Sequence, residues 1–413
     1  MVGQGLAVLW AAPTEPPWGG PLGQPFPLQN GYHGFTRPGE PMLTRRSFAN
    51  HIGLAAAAAR LLPEMAYAQR AAVNGSDLPK DMVWLNANEN PAGPPAVSLA
   101  AMQQTLPTAG RYHYQEFRDI YATIARSEDL SPDQIVTGCG SSEVLHTSVD
   151  VFTSPTRPLI SVAPAYEGPI ELARTLGRPV ILTKLRDDYT ADVHKLAEEA
   201  DKAHGGLIYV CNPNNPTAAI NTAKEIDWLV ANLPANTTLL VDEAYLHFGE
   251  SADLKTALPY VRQGKDVIVT RTFSKIYGMA GLRVGFAAAR PGIIERLTPL
   301  RMNVISIVSA RGVVAALGDR DNMLRERRAS LGRTRGELCA WLRERNVKFI
   351  EPHANFIMID VGRNAREFIN TMPRLGVAPG RPFPPLDNLL RVTIGTDPEM
   401  AKFREVFWKV YKT

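Results

Sequence analysis

The sequence predicts an α/β protein, with a large domain built on a mostly parallel sheet and a smaller α+β domain after it. Two observations lead there. From about Ala109 to Ala289, short apolar runs alternate with segments of helical spacing, the pattern of a parallel sheet covered by helices on both faces. A long charged helical stretch around Asn322–Asn346 then leads into separate strand-like runs and a closing helix. The chain has 413 residues, 45% hydrophobic and 21% charged, enough for two or three domain-sized cores.

Residues 1–41 hold eight prolines and eight glycines against three charged residues. So little apolar surface cannot offset the entropy of ordering the chain. The stretch reads as a disordered extension, or as sequence ahead of a true start at Met42. Residues 42–68 open with Met42-Leu43-Thr44-Arg45-Arg46-Ser47-Phe48, continue through alanine-rich Ile52 to Leu62, and end at Ala66-Tyr67-Ala68. Charged start, apolar middle and small-x-small end together resemble a twin-arginine export signal, which implies a periplasmic protein. Read instead as an ordinary amphipathic helix, which Arg60 favours, the segment leaves the protein cytoplasmic. Residues 69–108 read as an N-terminal arm and part of the small domain, 109–300 as the large domain, and 301–413 as the small domain.

The apolar runs of the large domain are Pro158–Val162, Val180–Leu182, Leu207–Cys211, Thr238–Val241, Val267–Thr270 and Val284–Ala288. Val144, Leu145, Ser148, Val149 and Phe152 fall on one helical face, as do Ile226, Leu229, Val230 and Leu233. The small domain offers Phe349-Ile350, Phe356–Val361, Leu389–Ile394 and a helix from Glu399. No apolar run reaches the roughly eighteen residues of a membrane span. A net charge of +4 gives no footing for nucleic-acid binding. Cys139, Cys211 and Cys339 form no disulfide framework or CxxC pair, and the eight histidines show no HExxH, so no metal site is expected.

Five strand ends carry residues suited to chemistry. After Val267–Thr270 comes Arg271-Thr272-Phe273-Ser274-Lys275-Ile276-Tyr277-Gly278-Met279-Ala280-Gly281-Leu282-Arg283. Lys275 is a candidate nucleophile if its neutral form is accessible. Thr272, Ser274 and Arg283 offer hydroxyls and a planar donor fork to a phosphate. Asp242 and Tyr245 lie in Val241-Asp242-Glu243-Ala244-Tyr245; a carboxylate there points into the crevice where open α/β sheets bind ligands. Cys211-Asn212-Pro213-Asn214-Asn215-Pro216-Thr217 is a proline-ordered turn presenting Asn215. Gly138-Cys139-Gly140-Ser141-Ser142-Glu143 precedes a helix whose first N–H groups suit one phosphate. Glu143 stands where a dinucleotide fingerprint needs glycine, which weakens a nicotinamide reading. Tyr166 follows another strand end and could stack on a planar ring. Arg391, inside an apolar strand, needs a partner, for which a substrate carboxylate would serve.

The order and wording of these motifs resemble the fold-type I aminotransferases, most nearly the histidinol-phosphate aminotransferase branch, whose opening motif is similar to Leu85-Asn86-Ala87-Asn88-Glu89-Asn90-Pro91. The resemblance spans about Val83 to Lys409. It implies pyridoxal 5'-phosphate as cofactor, a homodimer, and an amino donor and 2-oxo acid as substrates. Carried onto this chain, it implies that Lys275 forms the Schiff base and later moves the α-carbon proton, and that Asp242 pairs the ring nitrogen. Asn215 and Tyr245 would hold the ring oxygen, and Tyr166 would stack on the ring. Ser141, Ser142, Thr272, Ser274 and Arg283 would hold the phosphate, and Arg391 with Asn355 the substrate carboxylate. Arg381, in a differently worded Gly380-Arg381-Pro382-Phe383-Pro384, is a further substrate-facing candidate. Where the family usually reads Pro-Tyr-Gly this chain has Pro91-Ala92-Gly93, so an intersubunit tyrosine contact is missing or supplied elsewhere. A decarboxylase or lyase of the same fold, similar to threonine-phosphate decarboxylases, and a non-catalytic cofactor-binding sensor are the alternative readings.

Overall fold

This computed structural model describes residues 79–413; the extension 1–41 and the export-signal-like segment 42–68 lie outside the described residues. The strands, in chain order, are β1 Val83–Leu85, β2 Ile135–Cys139, β3 Leu159–Ala163, β4 Val180–Lys184, β5 Gly206–Cys211 and β6 Thr237–Asp242, then β7 Val267–Thr272, β8 Val284–Ala288, β9 Phe349–Ile350, β10 Phe356–Asp360, β11 Val377–Pro379 and β12 Leu389–Thr393.

Seven of these form one sheet in the order β2-β8-β7-β6-β5-β3-β4. Strands β5, β6 and β7 are buried at every residue, as central strands covered on both faces must be. Strand β4 is at the edge and only half-buried. Every neighbouring pair is parallel except those made by β8, which runs antiparallel to both β2 and β7. The expected strands are all present, and β2 adds one that the sequence did not announce, because Thr137 and Gly138 interrupt its short apolar run.

Helices between the strands are started by local chemistry. Thr222 and Glu225 form a reciprocal capping box ahead of Ala223–Ala231, and Asp192 caps Val193–Lys202 by accepting from Lys195 N; each satisfies N–H groups that a helix start leaves open. The charged helix runs Arg320–Arg343 and the closing helix Asp397–Tyr411, the latter under a Thr396/Glu399 capping box. In the C-terminal portion β12, β10 and β9 form an antiparallel sheet.

The arm bridges the two portions. Strand β1 pairs in parallel with β11, and Asn88 N donates to Thr393 Oγ1 at 3.0 Å. Its next residues then cross to the edge of the large sheet where the parallel strands end.

Candidate active site

A cavity of about 300 Å3 opens along that edge. Its wall contains Ser141, Ser142, Tyr166, Asn215, Asp242, Tyr245, Thr272, Ser274, Lys275 and Arg283, all ten residues that the sequence reading gave to a cofactor. The strand register explains the gathering. Asp242 stands beside Thr270, and Thr272 beside Gly285, which in turn faces Gly138. Because β8 runs antiparallel, its first residue lies at the edge where its neighbours finish, and Arg283 arrives there just before it.

Asp242 ends β6 and is 3% exposed. Its Oδ1 accepts from Thr270 Oγ1 at 3.1 Å and Ala244 N at 3.2 Å, and its Oδ2 from Tyr209 hydroxyl at 3.4 Å. Burial still pushes its pKa up to about 6, since neutral donors offset only part of the desolvation of a charged group. A cation against this carboxylate would lower that pKa.

Lys275 Nζ donates to Ala87 O at 3.2 Å and lies 5.6 Å from the centre of the Tyr245 ring. The turn that carries it is held by Gly278, at φ +67°, where an added Cβ would come within 2.1 Å of Gly93 O. The arm therefore lies directly on the lysine turn. Tyr245 hydroxyl accepts from Asn88 Nδ2 at 3.2 Å, and its ring meets Phe356 edge-on.

At the other end of the cavity the helix Ser141–Phe152 begins after Gly140, with no side-chain cap. Its first N–H groups are thus left for a ligand, on the positive end of the helix dipole. A Cβ on Gly140, at φ +74°, would sit 2.3 Å from Arg283 Nη2, and one on Gly285 2.3 Å from Ser141 N. Arg283 itself has φ +54°, a conformation costing a side chain about 1–3 kcal/mol. Its Nη1 donates to Ala280 O at 2.9 Å and to Ser274 Oγ at 3.4 Å. Backbone strain and two tight glycines serve to bring one guanidinium, two serines and a helix start together.

The three substrate candidates lie outside the cavity wall. Arg391, 4% exposed in β12, donates to Asn215 Oδ1 at 2.7 Å and Asn86 O at 2.6 Å. It thus reaches the cavity through Asn215. Asn355 is fully buried and donates to Asn88 O at 3.0 Å and Glu89 O at 3.1 Å, so it braces the arm. Arg381 forms an ion pair with Glu167 and stacks on Phe383 at 4.1 Å. The sequence reading missed Ala87 and Glu89 as wall residues, and missed the arm's carbonyls as partners of Lys275, Arg391 and Asn355. The string around Asn88 was the only signal for them.

The sequence pattern of the family described as aminotransferase class I and II matches residues 80–407. A histidinol-phosphate aminotransferase of Symbiobacterium thermophilum is 32% identical over 329 residues, covering 79% of this chain and 89% of that protein. Another, from Moorella thermoacetica, is 31% identical, covering 77% and 82%. The crystal structure of histidinol-phosphate aminotransferase from Sinorhizobium meliloti in complex with pyridoxal-5'-phosphate superposes with a TM-score of 0.75 at 25% identity, covering 80% of this chain and 91% of that one. The chain belongs to the class I and II aminotransferase family.

Proposed function

We propose that this chain is a pyridoxal 5'-phosphate-dependent transaminase moving an amino group between an L-amino acid, or histidinol phosphate, and 2-oxoglutarate. The observation that carries this reading is one cavity holding a buried carboxylate, a lysine amine and a set of phosphate donors. The residues fit the cofactor. A protonated ring nitrogen is the cation that Asp242 lacks, and the Gly140–Ser142 turn with Arg283 suits a phosphate. When bound, the cofactor supplies an electron sink for the bond broken at the substrate's α-carbon.

Asp242 keeps the ring nitrogen protonated. Asn215 uses Oδ1 for Arg391, so its Nδ2 is the end left for the ring oxygen, together with Tyr245 hydroxyl. Tyr166 would stack on the ring. Ser141, Ser142, Thr272, Ser274 and Arg283 would hold the phosphate. Lys275 would hold the cofactor through its amine and would move the proton at the substrate's α-carbon. Arg391 binds the substrate carboxylate, a charged acceptor that makes stronger hydrogen bonds than neutral oxygens do. Borohydride treatment of the purified protein should fix the cofactor to Lys275, read by peptide mapping. An adduct on another lysine would overturn the assignment.

The named relatives support histidinol phosphate as donor, whereas Ala92 at the arm and the export-like segment support an amino acid, aromatic ones included. A panel of donors with 2-oxoglutarate decides between them. The reading extends to a homodimer, supported by exposed Val97, Leu99, Leu106, Tyr112, Tyr114, Leu300 and Met302. It extends as well to twin-arginine export, supported by Arg45-Arg46 and Ala66-Tyr67-Ala68. Cell fractionation finding the chain uncleaved in the cytoplasm would refute the export.

A further inference from the structure

Glu167 is the residue immediately after Tyr166, and it begins the helix Gly168–Thr175, whose first intrahelical bond runs from Glu171 N to Glu167 O at 2.8 Å. Its backbone is therefore fixed, while its carboxylate, next in sequence to the wall residue Tyr166, pairs with the Arg381 guanidinium. The pair is 16% exposed on the arginine and 27% on the glutamate. Two glycines keep its surroundings tight. A Cβ on Gly168 would lie 2.8 Å from the Tyr166 ring, and one on Gly380 3.1 Å from Arg391 Nε. Arg381 and Arg391 share the Phe383 ring, at 4.1 and 4.7 Å from its centre. The carboxylate-binding arginine thus has a second arginine one ring away, and that second charge is already neutralised.

We propose that Glu167 sets the substrate specificity of this cleft by masking Arg381. With the pair closed, the surroundings of Arg391 are the buried Phe383 ring and an arginine already neutralised by Glu167, which suits a monocarboxylate with an apolar or aromatic side chain. A dicarboxylate reaches Arg381 with its distal carboxylate only by displacing Glu167, whose side chain must rotate out while its helix stays in place. Specificity is a difference between two affinities, and here one carboxylate works against one ligand class. The proposal rests on Arg391 receiving the first carboxylate.

The test uses unreactive probes: glutarate as dicarboxylate and 3-phenylpropionate as aromatic monocarboxylate, titrated calorimetrically into the cofactor-loaded protein. Glu167→Gln should tighten glutarate about tenfold relative to 3-phenylpropionate. Glu167→Gln combined with Arg381→Gln should abolish that gain. In the half-reaction, Glu167→Gln should lower the KM for glutamate with kcat little changed. A glutarate preference that stays within twofold of the parent, or a gain that survives loss of Arg381, overturns the inference. Donors that fail to convert the cofactor in the parent protein would refute transamination instead, a result the calorimetric arms do not depend on.

Discussion

Asp242 is a carboxylate that the cofactor-free fold buries at a cost. Its pKa is raised to about 6 from an ordinary 3.8 by burial. A raised carboxylate binds its proton more tightly in the folded chain, so it weakens the cofactor-free fold as pH climbs from about 4 to 6. Two units correspond to about 3 kcal/mol. Asp242→Asn should therefore melt higher than the parent at pH 7.5 when both lack cofactor, with the gap closing at pH 4.5. The same variant should lose several orders of magnitude in turnover, each tenfold being 1.36 kcal/mol of transition-state stabilisation. Scanning calorimetry without cofactor, followed by rates with it, separates the two effects. An unchanged melting gap between the two pH values would show that Asp242 is not the group titrating. The carboxylate was legible in the sequence because it ends an apolar strand. The bracing role of Asn355 was not legible, because nothing in Ala354-Asn355-Phe356 says that its Nδ2 donates to the carbonyls of Asn88 and Glu89.

At the scale of the strands, the cavity residues are braced from the opposite face of the sheet. Asp242 and Thr272 line the cavity, while their neighbours Glu243 and Arg271 point the other way and pair at 2.9 Å. Arg271 also reaches Glu128 at 2.9 Å, and Arg320 reaches the same carboxylate at 3.1 Å. Arg271, Glu128 and Glu243 side chains are 5%, 6% and 1% exposed. Arg271→Leu leaves Glu243 without its cation in a low-dielectric interior, while Glu128 keeps Arg320, and should cost about 3–5 kcal/mol, read by urea unfolding. Adding Glu243→Gln should recover part of that loss. A single variant as stable as the parent would mean that Arg320 carries the network alone. Strand positions were readable from continuous apolar runs, but β1 and β11, three residues each, are too short for any periodicity to declare them. The direction of β8 was equally silent, since parallel and antiparallel partners draw on the same residue types.

Across the whole molecule, the α/β class and the smaller C-terminal sheet followed from the alternation of apolar and helical segments. What escaped was the route of the arm, whose contribution is made by carbonyl groups that every residue possesses. The exposed apolar residues of the helix Ala96–Thr105 and of Leu106, Tyr112 and Tyr114 form the surface on which a second copy should sit. Light scattering should give twice the 45.3 kDa chain mass for the full chain, and Leu99→Glu should halve it. A monomeric parent would remove the dimer from the proposed function. The sheet order has a further consequence, in the timing of synthesis. The Gly140–Ser142 turn leaves the ribosome early, yet Cys139 pairs with Val284, whose codon is read roughly 7–30 s later at ordinary elongation rates. Until then the turn lacks its guanidinium and its neighbouring strand, so the nascent chain has no cradle to close on a vitamin-derived ligand. On the proposed function, cofactor capture is an act of the nearly finished polypeptide, and a message truncated before β8 should yield a product that added vitamin does not rescue.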